Sequence, residues 1–451
     1  MLGEKFEMTE RPFSTVVENQ REPMVAIQAE EAGDYDVIVV GGGLSGVCAA
    51  VAATRIGGRT LLAESLPFVG GNGTTGLPIS GLCARNSERM IVGGIITEIL
   101  EMLQERGGVS VDFRRKNWIP VDAEQLQFVL GRLLHTAGVS LLTYSPLVAV
   151  TRDQSRISDL AFYNKDGRAL RYRARAFVDS TGDAQVARLA GLATPMGRQR
   201  DGRTQTMSLV FSIAGVDESR AESNSAVSAA WNQFQASGSV RNTRRDPSVN
   251  HIFGRLGWRS FIATRVNVMK GTDNRLLTEA ELEGRRQIEE FVYDFLRPRV
   301  PGYENSFVAQ IAGHVGVRET RRILGLYEIT ASDLISGKKF HDSIACNASS
   351  VEIHMPESGM ARWEHLKDDD YYTIPYRSLV ARDVDNLFAS GRCISATHEA
   401  LGALRVLSPA MATGQAAGTA AALVALNQTS AHQLDVEAVR SALQAAGAIV
   451  D

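Results

Sequence analysis

The pattern of apolar and polar positions in the first part of the chain predicts a strand, a turn, a helix and a second strand. Residues 36–40 form a short β-branched apolar run, which is typical of a strand. Residues 44–56 are rich in alanine and predict a helix, and residues 60–63 predict a second strand that ends at Glu64. We therefore expect the folded part of the chain to contain a strand–helix–strand unit here.

The middle of the chain continues with a helix and three strands. Residues 121–137 have helical periodicity, and residues 140–150, 158–164 and 169–178 predict strands, with a turn at residues 165–167. This succession indicates a β-meander that crosses over the sheet.

The rest of the chain changes in character. Residues 208–216 predict another strand, and residues 217–299 form a long polar and helical stretch. Near the end, residues 413–426 are apolar but fall short of the ~18 residues that span a bilayer. We predict a buried helix there, no membrane span, and an amphipathic helix at residues 436–446.

The first turn carries a G-x-G-x-x-G pattern, formed by Gly41, Gly43 and Gly46. In this context the first glycine permits a tight turn, the second lets the backbone approach a pyrophosphate, and the third lets the helix pack closely on the strand. The helix N-terminus, at Leu44 and Ser45, then faces the phosphates.

Glu64 lies 18 residues beyond Gly46. A carboxylate at this position accepts hydrogen bonds from an adenosine ribose and repels a 2′-phosphate, so NADP is disfavoured. NAD and FAD both remain candidates from this unit alone, and a glycine turn without any ligand is the alternative.

A second glycine-rich loop begins at Gly71, and its pattern also reads G-x-G-x-x-G. No apolar strand precedes it directly and Pro78 follows, so it does not predict a separate nucleotide site. We expect Gly71, Asn72 and Thr74 to contribute N–H and hydroxyl donors to the same pyrophosphate. A flexible surface loop is the alternative.

Composition and charge narrow the class of protein. The 451 residues include 48 Lys and Arg against 51 Asp and Glu, a net charge of −3, so no basic surplus suggests a nucleic-acid partner. The four cysteines lack metal-type spacing, which argues against metal sites and favours a reducing compartment, the cytoplasm. Composition leaves open whether the chain forms a homo-oligomer.

Several motifs occur together in a characteristic order, and Glu64 lies between the first two: "DVIVVGGGLSG", "VGGNGTTG", "DSTGDAQVARLAG", "VGVRETRRILGLYEIT", "YYTIPYRSL", "NLFASGRCISATHEALGALRV" and "GQAAGTAAALV". With these motifs, residues 34–448 resemble the FAD-dependent oxidoreductases of the glutathione-reductase-type fold, which are related to the fumarate reductase flavoproteins. The resemblance implies an α/β fold, a Rossmann-like FAD-binding domain with an inserted α+β substrate domain, and FAD as cofactor.

We expect the following division of the chain. Residues 1–33 form an N-terminal extension. The FAD-binding domain is discontinuous and comprises residues 34–72, 121–207 and 371–451. The substrate or cap region comprises residues 73–120 and 208–370.

The resemblance also implies cofactor contacts at strand ends and at one helix start. Their positions are Leu147 at the adenine, Thr181, Gly182 and Asp183 in the nucleotide cleft, Gly391 and Arg392 at the ribityl-phosphate region, and the backbone of Val406 and Leu407 at the flavin. The wider superfamily often has an aspartate where this chain has Arg392, so we expect this arginine to contact phosphate.

Candidate catalytic residues follow from where they fall relative to the predicted flavin. His398 and Glu399 precede the flavin-facing helix, and an imidazole there is suited to take a substrate proton. Arg405 is suited to bind a substrate carboxylate or to balance the charge of reduced flavin. His354 is the second proton-transfer candidate. For each histidine, a role in packing alone is the alternative.

Residues 318–322 read Arg-Glu-Thr-Arg-Arg and suggest a strand. Alternate side chains would then face opposite sides, so one face would line the substrate cavity. Salt bridges between domains are the alternative use of such a run.

These observations predict hydride transfer between FAD and a small polar substrate. Oxidation of a C–O or C–N centre is favoured, because no second βαβ unit and no redox cysteine pair are evident for NAD(P)H-dependent disulfide reduction. Reduction of an activated C=C bond and electron relay to a partner are the alternatives. The sequence leaves open whether oxygen, a quinone or a redox protein accepts the electrons.

Overall fold

The computed structural model describes residues 28–238, 240–267, 270–355, 357 and 359–451. Most of the predicted N-terminal extension therefore lies outside the described residues. Its last part does not form an extension, because the first strand already begins at Ala29. The additional residues, 29–35, are largely exposed and form no apolar run, and they pair through their backbone with a neighbouring strand, which an apolar pattern does not reveal.

The described residues contain eleven α-helices and seventeen strands. The helices are α1 (Leu44–Arg55), α2 (Ile95–Glu105), α3 (Ala123–Ala137), α4 (Gln185–Leu189), α5 (Asn224–Ala236), α6 (Asn274–Glu289), α7 (Arg297–Arg299), α8 (Ala331–Ile335), α9 (His398–Leu404), α10 (Leu407–Asn427) and α11 (Val436–Ala445). A π-helical segment, Glu290–Leu296, joins α6 to α7.

The strands are β1 (Ala29–Val40), β2 (Thr60–Ala63), β3 (Ile79–Ser80), β4 (Trp118–Ile119), β5 (Ser140–Leu142), β6 (Leu147–Asp153), β7 (Arg156–Tyr163), β8 (Ala169–Asp179), β9 (Phe211–Ala214), β10 (Ser248–His251), β11 (Arg259–Ile262), β12 (Phe307–Ile311), β13 (Ser343–Asn347), β14 (Val351–His354), β15 (Ala361–Glu364), β16 (Tyr372–Pro375) and β17 (Leu387–Ala389).

A seven-stranded sheet has the order β5–β2–β1–β8–β7–β6, and β17 pairs with the second half of β8. Strands β1, β2, β5, β8 and β17 are parallel, whereas β6 and β7 form the antiparallel meander. The carboxyl ends of β1, β2, β8 and β17 therefore meet at one edge of the sheet. In open α/β sheets this is the edge at which ligands bind.

The mixed α/β architecture predicted from the sequence is confirmed, and so is the strand–helix–strand unit formed by β1, α1 and β2. The single strand predicted at residues 140–150 is wrong. Two strands occupy this region, and between them Tyr144 has a φ of 56°. This left-handed residue breaks the extended backbone, so β5 pairs with β2 while β6 pairs with β7.

A four-stranded antiparallel sheet, in the order β10–β11–β9–β12, forms the second layer of structure. Its core is largely aromatic: Trp231 of α5 lies 4.8 Å from Phe291 and 5.0 Å from Phe295, between ring centroids. Phe211 of β9 and Phe261 of β11 stack on each other, and both contact Phe291 edge-on. Such rings bury large apolar areas and hold the helices on this sheet.

Helix α10 is buried, as predicted, and no helix among the described residues is long and apolar enough to span a membrane. Two glycines of α10 allow its backbone to contact the backbone of α1. A Cβ atom on Gly414 would lie 2.1 Å from the carbonyl oxygen of Ser45, and one on Gly418 would lie 2.0 Å from that of Ala49. Only glycine permits this approach, because the obstructing atoms belong to the main chain.

We expect Gly414→Ala to destabilise the protein by roughly 1–3 kcal/mol, because the added methyl group must push two helices apart. Gly131 of α3 is a matched control, since a Cβ there meets no atom within 4 Å. Gly131→Ala should instead stabilise by roughly 0.5–1 kcal/mol through helix propensity. Chemical denaturation of both variants measures the difference, and equal effects would contradict the close packing of α1 and α10.

Candidate active site

The glycine turn after β1 has the geometry that its motif predicts. Gly41 has a φ of +97°, and a Cβ on Gly46 would lie 1.8 Å from the carbonyl oxygen of Gly41. A Cβ on Gly43, in contrast, would meet no atom within 4 Å. The first and third glycines are therefore required by the fold itself, whereas the second borders open space in front of α1.

Helices α1 and α10 share an unusual N-terminus. Among the described helices of ten residues or more, they alone lack a side-chain acceptor for the N–H groups of the first turn. Helix α2 receives one from Gln415, and α3, α5, α6 and α11 receive one from their N-cap residues. Free N–H groups and the positive end of the helix dipole suit a phosphate or another electron-rich group. Leu44 begins α1, Ser45 follows it in the first turn, and Val406 is the N-cap residue of α10.

Glu64 lies at the end of β2 and is buried. Its carboxylate accepts hydrogen bonds from the N–H of Gly42 at 2.5 Å and from the N–H of Leu66 at 2.8 Å. The N–H of Ser145 donates to its main-chain oxygen, which brings the start of β6, and thus Leu147, close to Glu64. The predicted ribose and adenine positions are therefore neighbours. Their contacts with a nucleotide stay predictions.

The second glycine-rich loop lies directly on the first. Residues Gly71–Thr75 form a 3₁₀ turn, and a Cβ on Gly71 would lie 3.2 Å from the Cα of Gly43. The side-chain oxygen of Asn72 is buried without a partner, whereas the hydroxyl of Thr74 donates to the carbonyl of Gly71. The loop thus belongs to the same region as the glycine turn, and Asn72 has unused hydrogen-bonding capacity there.

Residues at the ends of β8 and β17 lie next to one another, and their contacts with a cofactor stay predictions. Arg392 forms an ion pair with Asp183 at 3.0 Å, and its guanidinium covers Gly182, which has a φ of +71°. Asp183 also accepts a hydrogen bond from Thr320, while Thr181 donates to Asp179. With its charge matched by Asp183, Arg392 is anchored beside the strand ends.

Three hydroxyl groups connect the glycine turn to these strand ends. Ser45 donates to Ser390 at 2.7 Å, and Ser180 lies 2.7 Å from the same oxygen. Gly391 follows, and its N–H donates to Thr413 of α10. Of these serines, the sequence singled out only Ser45, at the start of α1. Their contacts fix α1, β8, β17 and α10 around one point.

Two polar atoms in this region indicate room for a ligand. Besides Asn72, the Nδ1 atom of His314 is buried without a partner. Burial lowers the pKa of His314, and the charges of Arg392 and Glu64 act on it as well. The ring of His314 lies 6.4 Å from that of Phe68, between ring centroids, close to the second glycine-rich loop. Together with the space at Gly43 and the open N-termini of α1 and α10, these groups fit a dinucleotide such as FAD.

His398 is the best-organised proton-transfer candidate. Its Nδ1 atom lies 2.9 and 2.8 Å from the two carboxylate oxygens of Glu319, which is fully buried. Arg322 donates to the same carboxylate at 2.8 Å, and the N–H of Gln205 donates to it at 3.0 Å. Because Nδ1 faces a carboxylate, it carries the proton, and Nε2 presents a lone pair.

Sequence reasoning missed Glu319, although it noted the run at residues 318–322. The expectation of a strand there is wrong. In this segment only Arg321 forms a bridge, to Met196, and Glu319, Thr320 and Arg322 are all buried, so burial does not alternate along it. Instead, Arg318 donates to the carbonyl of Thr206 and Arg321 to that of Asp183.

His354 and Arg405 meet at a second carboxylate, that of Glu352. His354 Nε2 lies 2.8 Å from Glu352, and Arg405 lies 3.6 Å from it. Burial, followed by the charge of Arg318, holds the pKa of His354 well below its ordinary value, so this imidazole is neutral. Burial opposes ionisation of Glu352, yet the hydrogen bond from His354 and nearby charges lower its pKa to about 2.

Gln205 joins the two groups. Its N–H contacts Glu319, and its side-chain oxygen accepts from Arg405 at 3.3 Å and from the N–H of His354 at 3.3 Å. Glu399 does not take part, because it is exposed on the first turn of α9. The helical turn directs His398 inward and its neighbour toward solvent.

A surface cleft of about 870 Å³ lies elsewhere, at the amino ends of β2 and β17 and beside the middle of β1 and β8. Asp34, Arg59 and Arg173 are among the residues that line it. Since parallel sheets bind ligands at their carboxyl ends, we place the candidate active site at the opposite edge, around the glycine turn and His398.

Comparison with known proteins identifies several similar chains. A segment of 71 residues is 42% identical to the tRNA uridine 5-carboxymethylaminomethyl modification enzyme MnmG of Lacticaseibacillus paracasei, and covers 15% of this chain and 11% of that one. The chain thus spans about a tenth of the length of this curated relative.

Two solved structures are similar over most of the chain. A geranylgeranyl bacteriochlorophyll reductase-like protein from Thermoplasma acidophilum is 14% identical with a TM-score of 0.45, over 92% of this chain and 82% of that one. The p-nitrophenol 4-monooxygenase of Pseudomonas putida is 12% identical with a TM-score of 0.46, over 92% and 84%. Likenesses this distant say nothing about the reaction.

The family comparison covers far more of the sequence. The model of the family described as FAD dependent oxidoreductase matches residues 36–443. This match confirms the resemblance drawn from the motifs, the expectation of an enzyme, and FAD as its cofactor. The chain belongs to the FAD dependent oxidoreductase family.

Proposed function

We propose that this enzyme transfers a hydride between FAD and a small polar substrate, and that it oxidises a C–O or C–N centre. The observation that carries the proposal is the hydrogen bond between His398 Nδ1 and the buried carboxylate of Glu319. When bound, FAD supplies the redox chemistry through its isoalloxazine ring. The chain's own residues bind and orient the substrate and move its proton.

Glu319 sets the tautomer of His398. Its carboxylate holds the proton on Nδ1, so Nε2 is free to accept a proton from a substrate O–H or N–H group. Arg322 and the N–H of Gln205 hold the carboxylate in turn, which keeps the imidazole in one orientation. Glu319 and Arg322 are therefore positioning residues, and His398 is the proposed base.

The residues that would hold FAD are those with open hydrogen-bonding groups along the sheet edge. We propose that the backbone of Gly43 and the start of α1 bind the pyrophosphate, with Asn72 and Arg392 beside it. Val406 and Leu407, at the uncapped start of α10, would face the flavin, where the helix dipole favours negative charge on the reduced ring.

Reduction of an activated C=C bond is the second candidate. The presence of Arg405 beside the His398–Glu319 pair favours it, because a guanidinium can bind and polarise a conjugated carboxylate. In that case His398 would act in its protonated form as a proton donor. Anaerobic mixing of oxidised enzyme with alcohols, amines and sugars separates the two, because only an oxidisable substrate bleaches the flavin.

We expect Gly43→Ala to weaken FAD binding by about tenfold or more, because its methyl group enters the space where the backbone approaches the pyrophosphate. The fold should tolerate the change, since a Cβ at this position meets no atom within 4 Å and φ is −62°. Fluorescence titration of the apoprotein with FAD measures the affinity, and the unfolding free energy of the apoprotein checks the fold.

Gly131→Ala is again the matched control and should leave the FAD affinity unchanged. An unaltered affinity in Gly43→Ala would show that the pyrophosphate does not lie against this glycine.

We expect His398→Asn to slow anaerobic flavin reduction by roughly 10²–10⁴-fold, the usual contribution of general base catalysis. The substrate is the compound that bleaches the flavin fastest in the screen described above, followed by stopped-flow absorbance. His341→Ala is the control, because that side chain is 83% exposed, and it should react like the wild type.

Glu319→Gln tests the positioning role separately. It should reduce the rate less than His398→Asn does and should alter the pH profile of the rate, because a neutral amide replaces the carboxylate that balances the imidazolium formed when His398 accepts the proton. If His398→Asn reduced the flavin at the wild-type rate, the assignment of His398 as the base would be wrong.

A further inference from the structure

Four guanidinium groups gather beside the His398–Glu319 pair. They belong to Arg244, Arg265, Arg318 and Arg405, and the first two are almost completely buried. Burial, followed by the charges of Arg405 and Arg244, lowers the pKa of Arg318 far below its ordinary value. Contacts bring the groups together: Arg405 and Arg318 donate to the adjacent residues Gln205 and Thr206. The N–H of Thr206 in turn donates to the carbonyl of His354, which precedes the Met355 carbonyl that Arg265 contacts. Each guanidinium remains charged, as arginine does in proteins.

The carboxylates in this cluster do not match its positive charge. Asp246 lies 3.2 Å from Arg244, and Glu352 lies 3.6 Å from Arg405. Among the described residues, neither Arg265 nor Arg318 has a carboxylate within ion-pair distance. The two instead donate to main-chain carbonyls, Arg318 to that of Thr206 and Arg265 to that of Met355, each at 2.7 Å. The described cluster therefore carries a surplus of two positive charges.

Several buried polar atoms of the same cluster lack partners. These are Nε2 of Gln205, Oγ1 of Thr206, Nδ1 of His354, Nε of Arg265 and Nε of Arg405. Gln205, Thr206 and His354 are each at most 3% exposed. Unsatisfied buried groups are costly, and a concentration of them beside unpaired cations indicates a site that a polar ligand completes.

The cluster adjoins the proposed base. Gln205 accepts a hydrogen bond from Arg405 through its side chain and donates one to Glu319 through its N–H. Glu319 holds His398. A ligand bound by Arg318 and Arg405 would therefore extend toward the imidazole that we propose as the base.

We propose that the cluster formed by Arg244, Arg265, Arg318 and Arg405 binds a small dianion, so that the substrate of this enzyme carries two carboxylates or one phosphate monoester. Two negative charges balance the surplus, and the guanidinium fork suits carboxylate and phosphate oxygens alike. The link to the substrate rests on the proposed function, whereas the binding of a dianion does not.

Titration of the oxidised holoenzyme with four probes tests this inference. Malonate carries two carboxylates, glycerol 2-phosphate one phosphate monoester, acetate a single charge, and acetamide none. At equal ionic strength, we expect at least one dianion to bind about tenfold or more tightly than acetate, and acetamide to bind weakest. Isothermal titration calorimetry gives the affinities, and the better of the two dianions identifies the chemistry of the charged group.

Arg318→Gln should remove most of this preference, lowering affinity for the better dianion by about tenfold and for acetate by less. Arg200→Gln is the matched control, because the Arg200 side chain is 72% exposed, and it should bind like the wild type. Circular dichroism and FAD content check that each variant is folded. If Arg318→Gln does not fold, the order of the affinities of the wild type for the four probes tests the inference.

Equal binding of malonate, glycerol 2-phosphate and acetate by the wild type would overturn the inference. An unchanged dianion affinity in folded Arg318→Gln would do so as well. These outcomes are distinct from failure of the proposed function, because the titrations involve no turnover. If the wild type binds the dianion and His398→Asn reacts at the wild-type rate, only the assignment of His398 as the base is wrong.

Discussion

The close approach of main chains at the glycine turn is the constraint on which the rest of the structure depends. Gly41 and Gly46 bring β1 and α1 together, and Gly414 and Gly418 let α10 reach the backbone of α1. A side chain at any of these positions would collide with a carbonyl group. Because these contacts are between backbones, they align the N-termini of two helices at the carboxyl edge of one sheet.

That alignment also explains why the two helices carry no side-chain cap. Other long helices in the described chain satisfy their first N–H groups internally, through Asp122, Ser223, Asp273 and Asp435 or through Gln415. Helices α1 and α10 leave these donors for a ligand, which fits membership in a family of FAD enzymes. The first turns of α1 and α10 therefore lack the stabilisation that a side-chain cap would give, at the place where the cofactor is to be held.

Charged side chains organise the part of the candidate site that lies beyond the predicted cofactor contacts. One buried carboxylate, Glu319, is matched by Arg322 and orients an imidazole, whereas Arg265 and Arg318 donate hydrogen bonds to main-chain carbonyls. Gln205 lies between the matched and the unmatched group. A substrate whose negative charge binds to Arg265 and Arg318 would place its reacting atom near His398. Substrate binding and proton transfer would then share a single polar network.

The sequence by itself determined what depends on local spacing. Glycines at fixed intervals, an apolar strand before them and Glu64 after them were sufficient to predict the βαβ unit, and the order of motifs indicated the family. Tertiary structure alone decided what depends on contacts between distant segments. Glu319 meets His398 across 79 positions, and Arg405 meets Gln205 across 200. In the tertiary structure Glu399 is exposed to solvent, and residues 318–322 do not form the expected strand. Periodicity describes the faces of one element but not which other element will cover them.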